Sequence, residues 1–246
     1  MLVIQNVAKR FNGHPIVDGF ELSIPLNGFT ALIGPSGCGK STLFDLLMGV
    51  VPMDRGEISW QGEPVADLRA LAAYMQQRDL LLPWFTLEEN ACLPAELAGV
   101  PLAERRDRAR DLFATFGLKG FGHYLPDMVS GGMRQRCALA RTLMFGRDLV
   151  LLDEPLSALD AITRRILQAY LLLLQTAFDR TILMVTHDVE EALLLADDLL
   201  VVTAAPMRIC ERIHLDQPKP RDTAAPSFLA IKTRVMARLE KEAIPW

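Results

Sequence analysis

One stretch, Gly34-Pro35-Ser36-Gly37-Cys38-Gly39-Lys40-Ser41-Thr42, limits what this chain can fold into more than any other. It fits G-x-x-x-x-G-K-[S/T], with Phe29–Ile33 before it reading as a short buried strand and Leu43–Met48 after it as a helix. Glycines at 34, 37 and 39 permit a tight turn whose N–H groups approach an anion with no Cβ in the way. The helix that follows aims the positive end of its dipole at the same point. Lys40 is then placed to neutralise β- and γ-phosphates, and the Ser41 hydroxyl to complete the coordination of Mg²⁺. A glycine-rich loop can spell such a motif by chance. Here strand, loop and helix stand in the order that phosphate binding requires, which implies a nucleoside triphosphate, ATP or a relative, as ligand.

The 246 residues suit one α/β domain with an insertion, or two small domains sharing a core, and half of them are hydrophobic. Apolar runs such as Tyr170–Leu174 and Ala192–Ala196 fall far short of a membrane span. Met1-Leu2-Val3-Ile4 passes directly into a strand pattern, so no leader peptide is expected. Cys38, Cys92, Cys137 and Cys210 are scattered without metal-ligand or CxxC spacing, which points to reduced thiols. A net charge of −4 without a basic stripe argues against nucleic acid as the main partner. Any membrane connection is expected to come through another subunit.

Leu2–Val7 alternates as a strand, and Phe11 precedes an Asn12-Gly13 turn. On spacing alone Phe11 reads as a satellite core residue, the alternative being a platform for adenine. Phe20–Ile24 and Gly56–Trp60 continue as strands of a half-exposed antiparallel sheet, the latter ending in a turn at Gln61-Gly62. From about Arg78 to Phe145 the chain turns helix-rich, punctuated by Pro83, Pro94 and Pro101. The helix Leu102–Phe116 carries Arg105, Arg106, Arg108 and Arg110, read as a solvated face. Ser130 is an N-cap for a helix with Met133, Cys137, Ala140 and Met144 on one face. Ser130-Gly131-Gly132 at its start is a second anion-binding arrangement or a plain cap with flexible glycines.

Leu149–Leu152 is a continuous apolar run, as in a parallel strand buried on both faces, and ends in Asp153-Glu154. The two acids then emerge where open α/β sheets bind ligands. Asp153 is suited to Mg²⁺ and Glu154 to polarising an attacking water; the competing reading is a solvated turn. Ser157–Asp160 is a short loop before a helix at Ala161–Gln175. Thr181–Val185 is another buried strand, with His187 just beyond its end and Asp188 and Glu191 as a capping pair. A lone histidine there is commonly structural, but its shared sheet edge with Asp153 and Glu154 favours contact with the γ-phosphate. Leu199–Val202 and Ile209–Ile213 form a strand pair, and a terminal helix covers Ser227–Glu242.

With these motifs in one order, the chain resembles the ATP-binding cassette ATPases over nearly its whole length. Gly34–Thr42 is similar to Walker A, Val150–Glu154 to Walker B, Gln77 to the Q-loop, Ser130-Gly131-Gly132 to the signature, Ser157–Asp160 to the D-loop and His187 to the switch histidine. The resemblance implies an α/β fold: a P-loop NTPase core with an antiparallel β subdomain and an inserted helical subdomain. One domain is expected over 1–246, with core at about 1–77 and 146–246 and insertion at 78–145. It also implies that Phe11 stacks on adenine, that Gln77 joins Ser41 and Asp153 around Mg²⁺, and that Glu154, His187 and Lys40 are catalytic. Asp160, with Ser130, Gly131 and Gly132, is expected at the nucleotide. The signature departs from the usual Leu-Ser-Gly-Gly-Gln at Val129 and Met133, from which altered rates are expected.

By resemblance two cassettes pack head to tail, so a second copy of the chain is the first expected partner. Leu81-Leu82-Pro83-Trp84 and the tail Ala205–Ile209 with Pro218–Asp222 are similar to ATPase subunits of bacterial importers for nitrate, sulfonates, taurine and thiamine precursors. Those work with integral membrane permease subunits and an extracytoplasmic solute-binding protein, which implies a peripheral place on the cytoplasmic face of the inner membrane. Leu80, Leu81, Leu82 and Trp84 read equally as insertion core or as a permease-binding surface. The rivals are a non-transport cassette protein of DNA repair or translation and a P-loop kinase. The first would carry a coiled coil, tandem cassettes or a basic surface, and the second has no use for Ser130-Gly131-Gly132.

Overall fold

The computed structural model describes residues 1–157 and 159–243; Ala158, within the expected Ser157–Asp160 loop, lies outside the described residues. The chain opens with a hairpin, β1 (Leu2–Phe11) and β2 (His14–Ile24), longer than the sequence pattern suggested. Its turn is Asn12-Gly13, both with φ above zero (50° and 81°), the backbone that a two-residue hairpin between twisted strands needs. Then follow β3 (Phe29–Ile33), α1 (Lys40–Leu47), β4 (Arg55–Trp60), β5 (Glu63–Val65) and β6 (Ala72–Met75). Three helices come next, α2 (Leu87–Leu97), α3 (Leu102–Thr115) and α4 (Gly131–Leu143), and after them β7 (Leu149–Asp153) and α5 (Ala161–Thr176). The chain continues through β8 (Thr181–Thr186), α6 (Val189–Leu195), β9 (Asp198–Val202), β10 (Ile209–His214) and α7 (Pro226–Ala243).

Two sheets result. One is antiparallel, in the order β2-β1-β4-β5; the other runs β10-β9-β3-β8-β7-β6 and is parallel except for β10 at its edge. The parallel strands are buried on both faces, and alternate side chains enter two different cores. Phe29, Ile33, Val150, Leu152, Ile182, Met184, Leu199 and Val201 pack with α2, α4, α5 and α6. Leu32, Leu149, Leu151, Leu183, Val185, Leu200 and Val202 face the other way, onto α1 and the antiparallel sheet. Period-two alternation with both sides apolar is what a continuous hydrophobic run encodes in a parallel sheet.

Pro94, expected as punctuation, sits inside α2 instead. It lies in the last turn, where its own carbonyl still accepts from Ala98 N, and a Thr86/Glu89 capping box secures the other end. Beyond β10 the tail straps the core: the buried Arg221 guanidinium donates to the carbonyls of Leu193 (2.8 Å), Ala196 (2.7 Å) and Leu215 (2.9 Å). Lys219 pairs with Asp197 at 2.6 Å, and Asp197 also accepts from the N–H of Phe29, the first residue of β3.

Candidate nucleotide site

The loop 34–39 leaves β3 and enters α1 with Gly39 as N-cap at φ 112°. A Cβ on Gly34 would lie 2.4 Å from Val202 Cγ2, so close packing against β9 demands glycine there. Lys40 is buried and its ammonium donates to the carbonyls of Gly34 and Pro35, 2.8 Å each, which holds the charge within the turn of the loop. Cys38 is also buried, and desolvation pushes its thiol pKa up although Lys40 pulls the other way. Gly34, Pro35 and Cys38 thus build the loop, whereas Ser36, Gly37, Gly39, Lys40, Ser41 and Thr42 face a cleft of about 300 Å³.

β7 and β8 are adjacent and parallel, so Asp153 and His187 leave neighbouring positions of one sheet edge. Asp153 is 2% exposed. Burial raises its pKa, as do Glu154 and Asp45, against the lowering effects of a Ser41 hydrogen bond and of Lys40. Glu154 takes a left-handed backbone (φ 49°), costly for a residue with a Cβ by roughly 1–3 kcal/mol. Its own N–H bonds Val185 O at 2.8 Å, and the turn swings its carboxylate towards Gln77 and His187. Gln77 Nε2 donates to Glu154 Oε2 at 3.2 Å, and His187 Nδ1 lies 3.2 Å from Glu154 Oε1.

Phe11 is 43% exposed, with Lys9 Nζ 5.4 Å from its ring centre, and the ring lines the cleft together with the loop, Gln77, Asp153 and Glu154. Its exposure rules out the core reading that spacing alone favoured, because the hairpin tip carries the ring clear of the sheet. The cleft does not gather every expected residue. Ser130 and Gly131 are exposed, with Ser130 Oγ accepting from Met133 N at 3.3 Å, and neither they nor Gly132 line it. Asp160 caps α5, accepting from the N–H groups of Ile162 and Thr163 at 3.1 and 3.0 Å, and also stays outside the cleft. His187, its side chain 59% exposed, touches Glu154 from beyond the cleft wall.

Two residues escaped the sequence reading. Ile16 forms part of the cleft and blocks any side chain at Gly39, its Cγ2 standing 2.9 Å from where a Cβ would be. Gln135 on α4 is buried and its amide donates to Glu154 O at 3.0 Å and Ser157 Oγ at 3.4 Å. A signal existed: Gln135 shares an apolar helix face with Leu139 and Thr142, at spacings of four and seven. The donor set Asp153, Ser41 and Gln77 is all oxygen with one buried carboxylate, which fits Mg²⁺ completed by substrate phosphates.

A glycine-rich loop between a buried strand and a helix, with a buried acid at the end of a nearby parallel strand, defines a P-loop nucleotide-binding protein. The ABC transporter family profile matches residues 17–157. The aliphatic sulfonates import ATP-binding protein of Cupriavidus pinatubonensis is 40% identical over 97% of this chain and 77% of its own length. The taurine import ATP-binding protein of Escherichia coli (strain K12) is 33% identical over 97% of each. An uncharacterised ABC transporter ATP-binding protein of Methanocaldococcus jannaschii is 38% identical over 99% of this chain and 92% of the relative. Among solved structures, the dimeric bacterial ABC transporter cassette MJ0796 superposes with a TM-score of 0.80 at 26% identity, covering 89% of this chain and all of that one. The chain belongs to the ABC transporter family, as an ATP-hydrolysing cassette.

Proposed function

We propose that this cassette powers a bacterial importer of small sulfonate-bearing solutes, alkanesulfonates or taurine, as a homodimer docked on a separate membrane permease. The observation that carries the dimer is the incomplete cleft. One chain assembles Phe11, the phosphate loop, Gln77, Asp153 and Glu154, while Ser130 and Gly131 stand exposed, and Gly132 half-buried, outside that cleft. A second copy, placed head to tail, supplies its Ser130 hydroxyl and the start of its α4 to the γ-phosphate. The solved cassette of similar fold is dimeric, and its post-hydrolysis form holds ADP and Pi.

Within this reading Phe11 stacks on the base, and the loop N–H groups with Lys40 hold the phosphates. Ser41, Gln77 and Asp153 would hold Mg²⁺, which when bound neutralises phosphate charge. Glu154 accepts a proton from, or orients, the attacking water, and His187 fixes the carboxylate through its 3.2 Å contact. Solute identity rests on the two import relatives, at 40% and 33% identity, and favours a sulfonate over a thiamine precursor.

Docking on a permease is supported by exposed apolar groups before α2. Trp84 is 69% and Leu80 50% exposed, and beside Gln76 a groove is lined by Met48, Val50, Tyr74 and Phe145. Leu81 alone of the four expected cluster members is buried in the core. Among the described residues no helix is long and apolar enough to cross a membrane. In this reading the permease holds the cassette at the cytoplasmic face.

Light scattering on the Glu154→Gln protein tests the dimer. Adding ATP should double the 27.4 kDa mass, and Ser130→Arg in the same background should abolish the doubling. A monomer at saturating ATP would overturn the composite site. Uptake of taurine or an alkanesulfonate into vesicles carrying the permease, absent without this subunit, tests the import role.

A further inference from the structure

The arginine-rich face of α3 is not uniformly solvated. Arg105 pairs with Glu96 and Arg106 with Glu88, each at 2.9 Å, and Arg110 pairs with Asp107 at 2.8 Å. Arg108 has no acid and no hydrogen-bond acceptor among the described residues. It turns instead to a cleft of about 250 Å³ between α3, the end of α4, β7 and α5, which shares no lining residue with the nucleotide cleft. Arg147, equally without a partner among the described residues, and Arg180 line the same cleft. Its floor is apolar: Leu112, Leu143, Val150, Tyr170 and Leu174, with Phe178 at the rim, 55% exposed.

Charge sets the kind of ligand. Arg180 is offset by its ion pair with Asp148, and Asp111, also in the lining, offsets a second guanidinium. One net positive charge remains over an apolar floor. Unpaired guanidiniums present planar forks suited to a carboxylate or sulfonate, and the floor rewards hydrocarbon. At about 250 Å³ the cleft is small for a ligand site, which suits a short hydrocarbon body carrying one charged group.

We propose that this cleft binds a small organic monoanion, a sulfonate or carboxylate on a short aliphatic or aryl body, held by Arg108 and Arg147. Such a ligand bridges the α3/α4 pair and the β7/α5 part of the core, since both sides contribute lining. The site is independent of the transported solute and of the reading of the nucleotide cleft.

Calorimetric titration of the whole chain with butane-, hexane- and octanesulfonate at constant ionic strength tests it, with sodium sulfate and hexan-1-ol as controls. The expected result is saturable binding that tightens about fourfold per added methylene until the floor is covered. Hexan-1-ol should bind at least about tenfold more weakly than hexanesulfonate, and the Arg108→Gln/Arg147→Gln protein should lose at least about tenfold for octanesulfonate. Its basal ATP hydrolysis should equal the parent's, which certifies the fold. Absence of saturation, sulfate binding as tightly as octanesulfonate, or an unchanged affinity in the double variant would each overturn the site.

Discussion

Replacing Glu154 by Gln separates proton chemistry from geometry at the nucleotide site. The carboxylate is held by Gln77 Nε2 at 3.2 Å and by His187 Nδ1 at 3.2 Å. A glutamine amide keeps both contacts: its oxygen accepts from Gln77, and its NH₂ donates to Nδ1 of a neutral His187 in the Nε2–H tautomer. Main-chain bonds to Val185 O and from Gln135 are untouched, so the left-handed turn at 154 survives. Stability should therefore change by less than about 1 kcal/mol, or roughly 2–4 °C in Tm. Basicity, in contrast, is lost outright. Turnover should fall at least about a hundredfold, close to 2.7 kcal/mol in barrier, while the Kd for ATP stays within about threefold. Phosphate release measured beside binding of a fluorescent ATP analogue reads both quantities. Turnover within tenfold of the parent, at unchanged Tm, would refute the role assigned to Glu154.

Further outcomes follow from the same geometry. Phe11→Ala should raise the ATP Kd at least about fivefold, the loss of a stacking contact of ~1 kcal/mol or more, without lowering Tm, because the ring is already 43% exposed. Trp84→Ala should cost under about 1 kcal/mol of fold stability, since 69% of the residue is exposed, and a scanning-calorimetry drop above about 4 °C would return it to the core. Gln135→Met should cost about 1–2 kcal/mol, seen as a Tm lower by roughly 2–8 °C, with kcat reduced and KM kept as the turn at Glu154 loosens. Met133→Gln should change turnover less than about tenfold, because Ser130 Oγ is held by the backbone N–H of residue 133, whatever its side chain.

How much was legible in the sequence varies with how local the cause is. The phosphate loop could be read because each of its demands falls on consecutive residues, glycines for the turn and Lys40 for the charge. The parallel strands could be read because burial on both faces leaves an uninterrupted apolar run, as in Leu149–Leu152. Phe11 could not be placed from spacing, since its exposure depends on how far the hairpin projects past the sheet. β5 and β6 went unseen because three and four residues carry too little pattern, and β6 owes its existence to pairing with β7. Gln135 was missed because its place on an apolar helix face marks only burial, whereas its partners, Glu154 O and Ser157 Oγ, lie 19 and 22 residues further along the chain. Pro94 misled because a proline's effect depends on which turn of a helix receives it.

The place of β3 in the sheet also governs when this protein comes into being. β3 bonds β8 on one side and β9 on the other, and its first residue is tied by backbone and side chain to Asp197. The phosphate loop is complete as sequence at Thr42, yet the strand that launches it has no hydrogen-bonded neighbour until residues 181–202 have been made. A ribosome has thus translated most of the chain before the loop is held in shape. Contacts across such separations form slowly and late. A chain cut before residue 181 therefore lacks both strands that flank β3, and its phosphate loop has no sheet to spring from.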